Sequence, residues 1–153
     1  MAFQLDDCYT QNKHIPTPLS VLGISGIYNF EAFLEAHSDV PVYKALMENA
    51  FPDRSLWEKA CPYTNRLANH ASWKRSKAII LSHSDEDELV EKAQANFMME
   101  RVLTNPAFAD SVHFLPATGP HDGIWESGDI LAGLIEKSLE ILGVFALAEP
   151  SFS

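Results

Sequence analysis

The sequence is poor in positive charge. Its 11 Lys and Arg stand against 21 Asp and Glu, a formal net charge of −10. Such a surface repels polyanions, which excludes nucleic acid and anionic membrane as partners. Cysteine is nearly absent. Cys8 and Cys61 form neither a metal nor a redox spacing and read as free thiols of a reducing compartment, so no cofactor is expected. Long apolar runs are missing too: Val144–Ala148, the longest near the end, falls far short of a bilayer span. Met1–Asp7 lacks the basic start and apolar stretch of a secretory signal. There is no internal repeat and no low-complexity segment. These absences leave a soluble, cytoplasmic protein whose 153 residues suit one domain with a real core.

What is present is a set of three short apolar runs. Leu19–Ile24, bounded by Pro18 and Gly26, and the runs at 77–82 and 111–116 read as buried strands. Helical segments separate them. Asn29–His37 places Phe30, Phe33 and Leu34 on one face, and Val42–Ala50 does the same with Tyr43, Leu46 and Met47. A helix over Glu88–Leu103 aligns Val90, Ala93, Phe97, Met98 and Val102 in one stripe. A last helix over Ser127–Leu142 has Ser127 to cap it, Asp129 at the positive end of its dipole and Gly143 to close it. Residues 10–18 form a loop. Residues 51–76 read as an irregular excursion with one short helix near Leu56–Lys59; its Trp57, Tyr63 and Trp73 serve packing, with an aromatic substrate pocket as the alternative. The fold class is α/β, with about three parallel strands joined by helical crossovers. In such sheets catalytic groups gather at the carboxyl ends of strands.

Asp87 and His121 both lie there. Asp87 closes Ser84-Asp-Glu-Asp after the second strand, and His121 sits in Gly119-Pro-His-Asp-Gly after the third. A carboxylate at one strand end and a histidine at the next follow the chain order of the α/β-hydrolase triad, in which the acid fixes the tautomer of the base. Asp85 and Glu86 compete for the acid's role; Asp87 is preferred as the last acid before the apolar Leu89-Val90. The alternative is that Asp85–Glu88 is only a solvated acidic start to a helix. His83 reads as packing or bonding locally, His14, His37 and His70 as exposed, and His113 as facing either way. A metal site of His83, Asp85, Asp87 and His121 lacks any ligand spacing. The nucleophile of such a triad sits in Gly-x-Ser-x-Gly, which this sequence does not contain. Gly23-Ile-Ser25-Gly26 has its second glycine one position early and no helix directly behind, so Ser25 reads as a strand-end loop residue.

Ile24–Phe30, His83–Val90 with Gln94 behind it, and Thr118–Trp125 resemble the fungal kynurenine formamidases, esterase-like α/β-hydrolases. The resemblance runs from residue 1 to about 143. It implies an incomplete α/β-hydrolase sheet, with 1–153 as the C-terminal part of a single domain. It also implies a substrate, N-formyl-L-kynurenine, split to kynurenine and formate in tryptophan catabolism on the way to NAD. Asp87 matches the family's triad acid and His121 its base. The family's Gly-His-Ser-x-Gly-Ala stretch and its His-Gly-Gly oxyanion loop would lie upstream of Met1. The chain is therefore expected to be inactive as it stands, whether it is a truncated gene product, a split half or a remnant. It is expected to need a complementing N-terminal half or a second copy, because the first strand would otherwise expose an apolar edge. Two alternatives stay open: a non-catalytic interaction module, and another esterase or peptidase of the same fold.

Overall fold

A computed structural model describes residues 18–64 and 76–144. Three strands, β1 (Ser20–Ile24), β2 (Ala78–Ser84) and β3 (Val112–Ala117), form one open parallel sheet in the order β1-β2-β3. Leu22 pairs in register with Ile80, and Ile80 with His113. Between β1 and β2 lie α1 (Phe30–Ala36), α2 (Pro41–Ala50), a 3-10 turn (Arg54–Leu56) and α3 (Trp57–Ala60). The chain continues through α4 (Lys92–Leu103) and a 3-10 turn (Pro106–Phe108) to β3, then α5 (Gly123–Glu126) and α6 (Asp129–Ile141). The flanking helices make this the expected α/β architecture.

β2 is buried along its whole length because both of its faces are covered. A strand covered twice loses the polar alternation of a half-exposed one, which is why 78–81 reads Ala-Ile-Ile-Leu. On one face Ile79 and Leu81 pack with Tyr28, Met98, Val102 and Phe108. On the other, Leu22, Ile24 and Leu115 pack against Ala117, Ile124 and Leu134. A third cluster of Phe30, Met47, Trp57 and Cys61 holds the helices of the long connection to one another.

Several expected boundaries shift for identifiable reasons. α4 begins at Lys92, four residues later than expected, because the Asp87 carboxylate takes the N–H groups of Leu89 and Val90 in a non-helical turn. With Val90 off the helix, the buried stripe becomes Gln94, Ala95, Met98 and Val102, and Ala93 faces outward. Ser127 does not cap α6. Gly128, left-handed at φ +73°, occupies that position, and Ser127 Oγ donates back to the Gly123 carbonyl at 3.3 Å. Leu46 is exposed rather than buried, and only Met47 of α2 reaches the core. Among the described strands β1 lies at an edge, and of its residues Val21 alone is buried. No helix among the described residues is long and apolar enough to cross a membrane.

Candidate active site

The carboxyl ends of β2 and β3 carry two loops that meet. After β2, Glu86 N–H donates to Ser84 Oγ at 3.1 Å and Asp87 N–H to the Ser84 carbonyl at 3.3 Å, which turns the chain back sharply. The turn buries the Asp87 side chain completely. Its Oδ1 accepts from Leu89 N–H at 3.1 Å and from Val90 N–H at 2.9 Å. After β3, Gly119 supplies the left-handed residue, φ +86°, that lets the chain reverse into Pro120-His121.

His121 Nδ1 lies 2.9 Å from Asp87 Oδ2 and 3.1 Å from Oδ1. An ionised carboxylate only accepts, so Nδ1 carries the hydrogen and Nε2 carries the basic lone pair. Nε2 has no hydrogen-bond partner among the described residues, and the ring keeps 21% of its surface open. The Glu88 carboxylate takes His121 N–H at 3.2 Å, tying the histidine loop to the loop of its partner. Asp87 is therefore the acid that meets the histidine. Asp85 is instead an exposed partner of Lys92 at 2.6 Å.

Burial pushes the Asp87 carboxyl up, but the Val90 N–H, the His121 ring, the nearby Ser25 hydroxyl and the Leu89 N–H together outweigh it and hold the group below the ordinary carboxylate range. Asp87 is thus an ionised, desolvated anion facing an imidazole. That arrangement favours the imidazolium whenever Nε2 accepts a proton.

His83 is buried and donates from Nε2 to the Val90 carbonyl at 2.8 Å, with Asp87 Oδ2 3.8 Å away. It braces the acid's loop from beneath, the local role expected of it. Among the described residues no group of three or more His, Cys, Asp or Glu is placed to hold a metal ion. His37, expected to be exposed, is half-buried between the Phe33 and Tyr43 rings, with Nδ1 3.0 Å from the Phe33 carbonyl and 3.2 Å from Glu91. His14, His70, Cys8 and Trp73 lie outside the described residues. Trp57 is buried and donates to the Phe51 carbonyl at 3.0 Å, and Tyr63 stacks edgewise on Phe97, so both serve packing.

Two residues of this region were not singled out for roles by their spacing. The buried Gln94 side chain accepts Tyr28 N–H at 2.9 Å and Asn29 N–H at 2.7 Å, and returns a hydrogen to the Asn29 carbonyl at 3.2 Å. It clamps the loop after β1 onto α4. Ser25, at the end of β1, is buried beside Asp87. A glutamine on a helix or a serine before glycine carries no sequence signal for either role.

The chain is similar to a kynurenine formamidase-like hydrolase (fscH) of Fusarium equiseti, 28% identical over 138 residues that cover 86% of this chain and 44% of that protein. It is similar also to a kynurenine formamidase (avaC) of Aspergillus versicolor, 29% identical over 146 residues that cover 82% of this chain and 50% of that protein. The similarity is distant and partial: the chain spans about half the length of the curated relatives it matches. No family model matches the chain, and no solved structure does.

Proposed function

We propose that this chain carries the acid–base half of a formamidase-like hydrolytic site, with His121 as general base and then acid, and Asp87 as the residue that orients it. The observation that carries this reading is the hydrogen bonding of His121 Nδ1 to both oxygens of a buried, ionised Asp87, which leaves Nε2 available. Nε2 would take the proton of a hydroxyl nucleophile as that oxygen attacks the formyl carbon. The imidazolium, stabilised by Asp87, would then return the proton to the departing arylamine nitrogen, leaving a formyl ester that water, deprotonated by Nε2, would cleave to formate and the restored hydroxyl. The kynurenine formamidase names of the relatives support N-formyl-L-kynurenine as substrate. The nucleophile and oxyanion donors would come from outside residues 1–153, through an upstream segment or a second chain.

The test is release of formate from N-formyl-L-kynurenine. The chain alone is expected to give none. Turnover is expected once an upstream segment bearing Gly-x-Ser-x-Gly is joined in frame, and it should vanish in His121→Asn. Turnover by the chain alone that disappears in His121→Asn would overturn the need for an outside nucleophile. Turnover that survives His121→Asn would overturn the base.

A second reading, an interaction module, draws on β1. Among the described residues it has a strand neighbour on one side only, and Leu19 beside it is 55% exposed. Such an edge favours pairing with another chain. Light scattering across concentration tests it: Leu19→Lys should lower any association, and a monomer at every concentration would reject the reading.

A further inference from the structure

Ser25 is the one described residue other than glycine with a positive φ, +45°. That conformation is unfavourable for any residue bearing a Cβ, and it persists only where the surroundings impose it. Glycine stands at the very next position, yet the strain falls on the serine. Ser25 N–H donates to the Ser82 carbonyl at 3.0 Å, fastening the turn to β2. The residue is 6% exposed, and its Oγ has no aligned hydrogen-bond partner among the described residues. A buried hydroxyl left without an acceptor is unfavourable, so its neighbours matter.

Those neighbours belong to the candidate site. Ile24 pairs with Ser82, so Ser25 follows at the level of His83, the residue that braces the Asp87 loop. The Asp87 carboxylate is unevenly loaded. Among the described residues, Oδ1 accepts from Leu89, Val90 and His121, whereas Oδ2 accepts from His121 alone. Oδ2 therefore has a lone pair to spare.

We propose that Ser25 is a positioning residue of the Asp87–His121 pair: its hydroxyl donates to Asp87 Oδ2, and the left-handed turn at the end of β1 aims it there. The inference rests on the reading of that pair given above. Rotation about the Cα–Cβ bond is what would bring the hydroxyl into line with Oδ2. Ser25 makes no hydrogen bond to His121, so it acts on the acid and does not stand in for the nucleophile. It keeps the carboxylate ionised while His121 is neutral and resists rotation of the acid away from the ring. The loop at the end of β1, residues 25–30, carries no charged side chain. Among the described residues, the titratable groups facing the pair are His83 beneath it and Glu88 on the His121 N–H, while Lys92 of α4 is engaged by Asp85. Burial pushes the Asp87 carboxyl up, and Ser25, after Val90 and His121, helps to hold it low, which agrees with this placement.

The test is a carboxylate carbon NMR titration of Asp87 in the 153-residue chain, in Ser25→Ala, Ser25→Gly and His121→Asn. Both Ser25 variants should raise the Asp87 midpoint by about 1–2 pH units, the equivalent of one hydrogen bond to a charged group. Ser25→Gly relieves the backbone, so it should shift the titration as much as Ser25→Ala while unfolding at no lower temperature. If the midpoint in Ser25→Gly equals that of the unmodified chain, the hydroxyl is not a donor and the inference is wrong. His121→Asn should also raise the midpoint. If it does not, the pair itself is misread, whatever the serine variants do.

Discussion

His121 and Asp87 stand 34 positions apart in the chain and 2.9 Å apart in space, the imidazole Nδ1 on a carboxylate oxygen that no solvent reaches. Two adjacent parallel strands produce that meeting. Each ends at the same edge of the sheet, and each hands its functional residue to a tight turn. Four measurable consequences follow from the way this pair and its supports are held.

The stability contributed by Asp87 depends on pH, and the direction is set by its lowered pKa. An unfolded aspartate titrates near ~3.9. A folded value below that means the contribution is complete above about pH 4 and is lost as pH falls through the folded value. The gap in thermal midpoint between the unmodified chain and Asp87→Asn should therefore be present above about pH 4 and close as the pH falls below it. A gap that does not change with acid would refute the ionised, hydrogen-bonded Asp87.

Asp87→Asn should also reverse the His121 tautomer. The amide oxygen keeps the Leu89 and Val90 N–H groups, which leaves the NH2 facing Nδ1. Nδ1 must then accept, and the hydrogen moves to Nε2. Imidazole nitrogen NMR reads this directly, as an exchange of the protonated and unprotonated signals. Unchanged signals would mean that Asp87 does not set the tautomer.

Gln94 accepts two backbone N–H groups of the loop after β1, those of Tyr28 and Asn29. Gln94→Leu keeps the bulk and removes the acceptor, stranding those donors in a buried place. The expected loss is about 2–4 kcal/mol, with each orphaned group costing about 1–3 kcal/mol. Urea unfolding should show a lower midpoint at an unchanged slope. A loss under about 0.5 kcal/mol would show that the loop is satisfied some other way.

Gly23 lies under the Tyr28 ring. A Cβ there would overlap the Tyr28 hydroxyl and come within 3.2 Å of the Leu81 side chain. Tyr28 is 2% exposed and cannot swing aside. Gly23→Ala should cost about 1–3 kcal/mol through overpacking. Tyr28→Phe should restore part of that loss by removing the colliding oxygen, so the double variant should be more stable than the sum of the two single effects implies. Strict additivity would place the strain elsewhere.

Much of this chain was legible without coordinates. The apolar runs located the three described strands: β2, covered on both faces, is apolar over 78–81, and turn residues mark the ends of the runs that became β1 and β3. Asn29 announced α1, whose first turn it caps by accepting Ala32 N–H at 3.2 Å. The start of α4 was less legible. Local propensity favours a helix from Glu88, but the fully buried Asp87 carboxylate claims the next two free N–H groups and postpones it. The cap of α6 was misplaced because a glycine able to turn left-handed stands right behind a good capping serine.

The sequence by itself determined the composition class, the α/β pattern, and the presence of an acid and a histidine after successive strands. These properties are periodic or local, so they survive being read one residue at a time. Only the tertiary structure decided which of Asp85, Glu86 and Asp87 meets His121, that Glu88 ties the two loops together, that Gln94 clamps the loop after β1, and that Ser25 is buried beside the carboxylate. Each of these is a contact across 33 to 66 positions or between separate strand ends, or a choice among neighbouring acids. Such outcomes depend on strand order, register and burial, which the packing of the whole sheet sets together and no short window of residues contains.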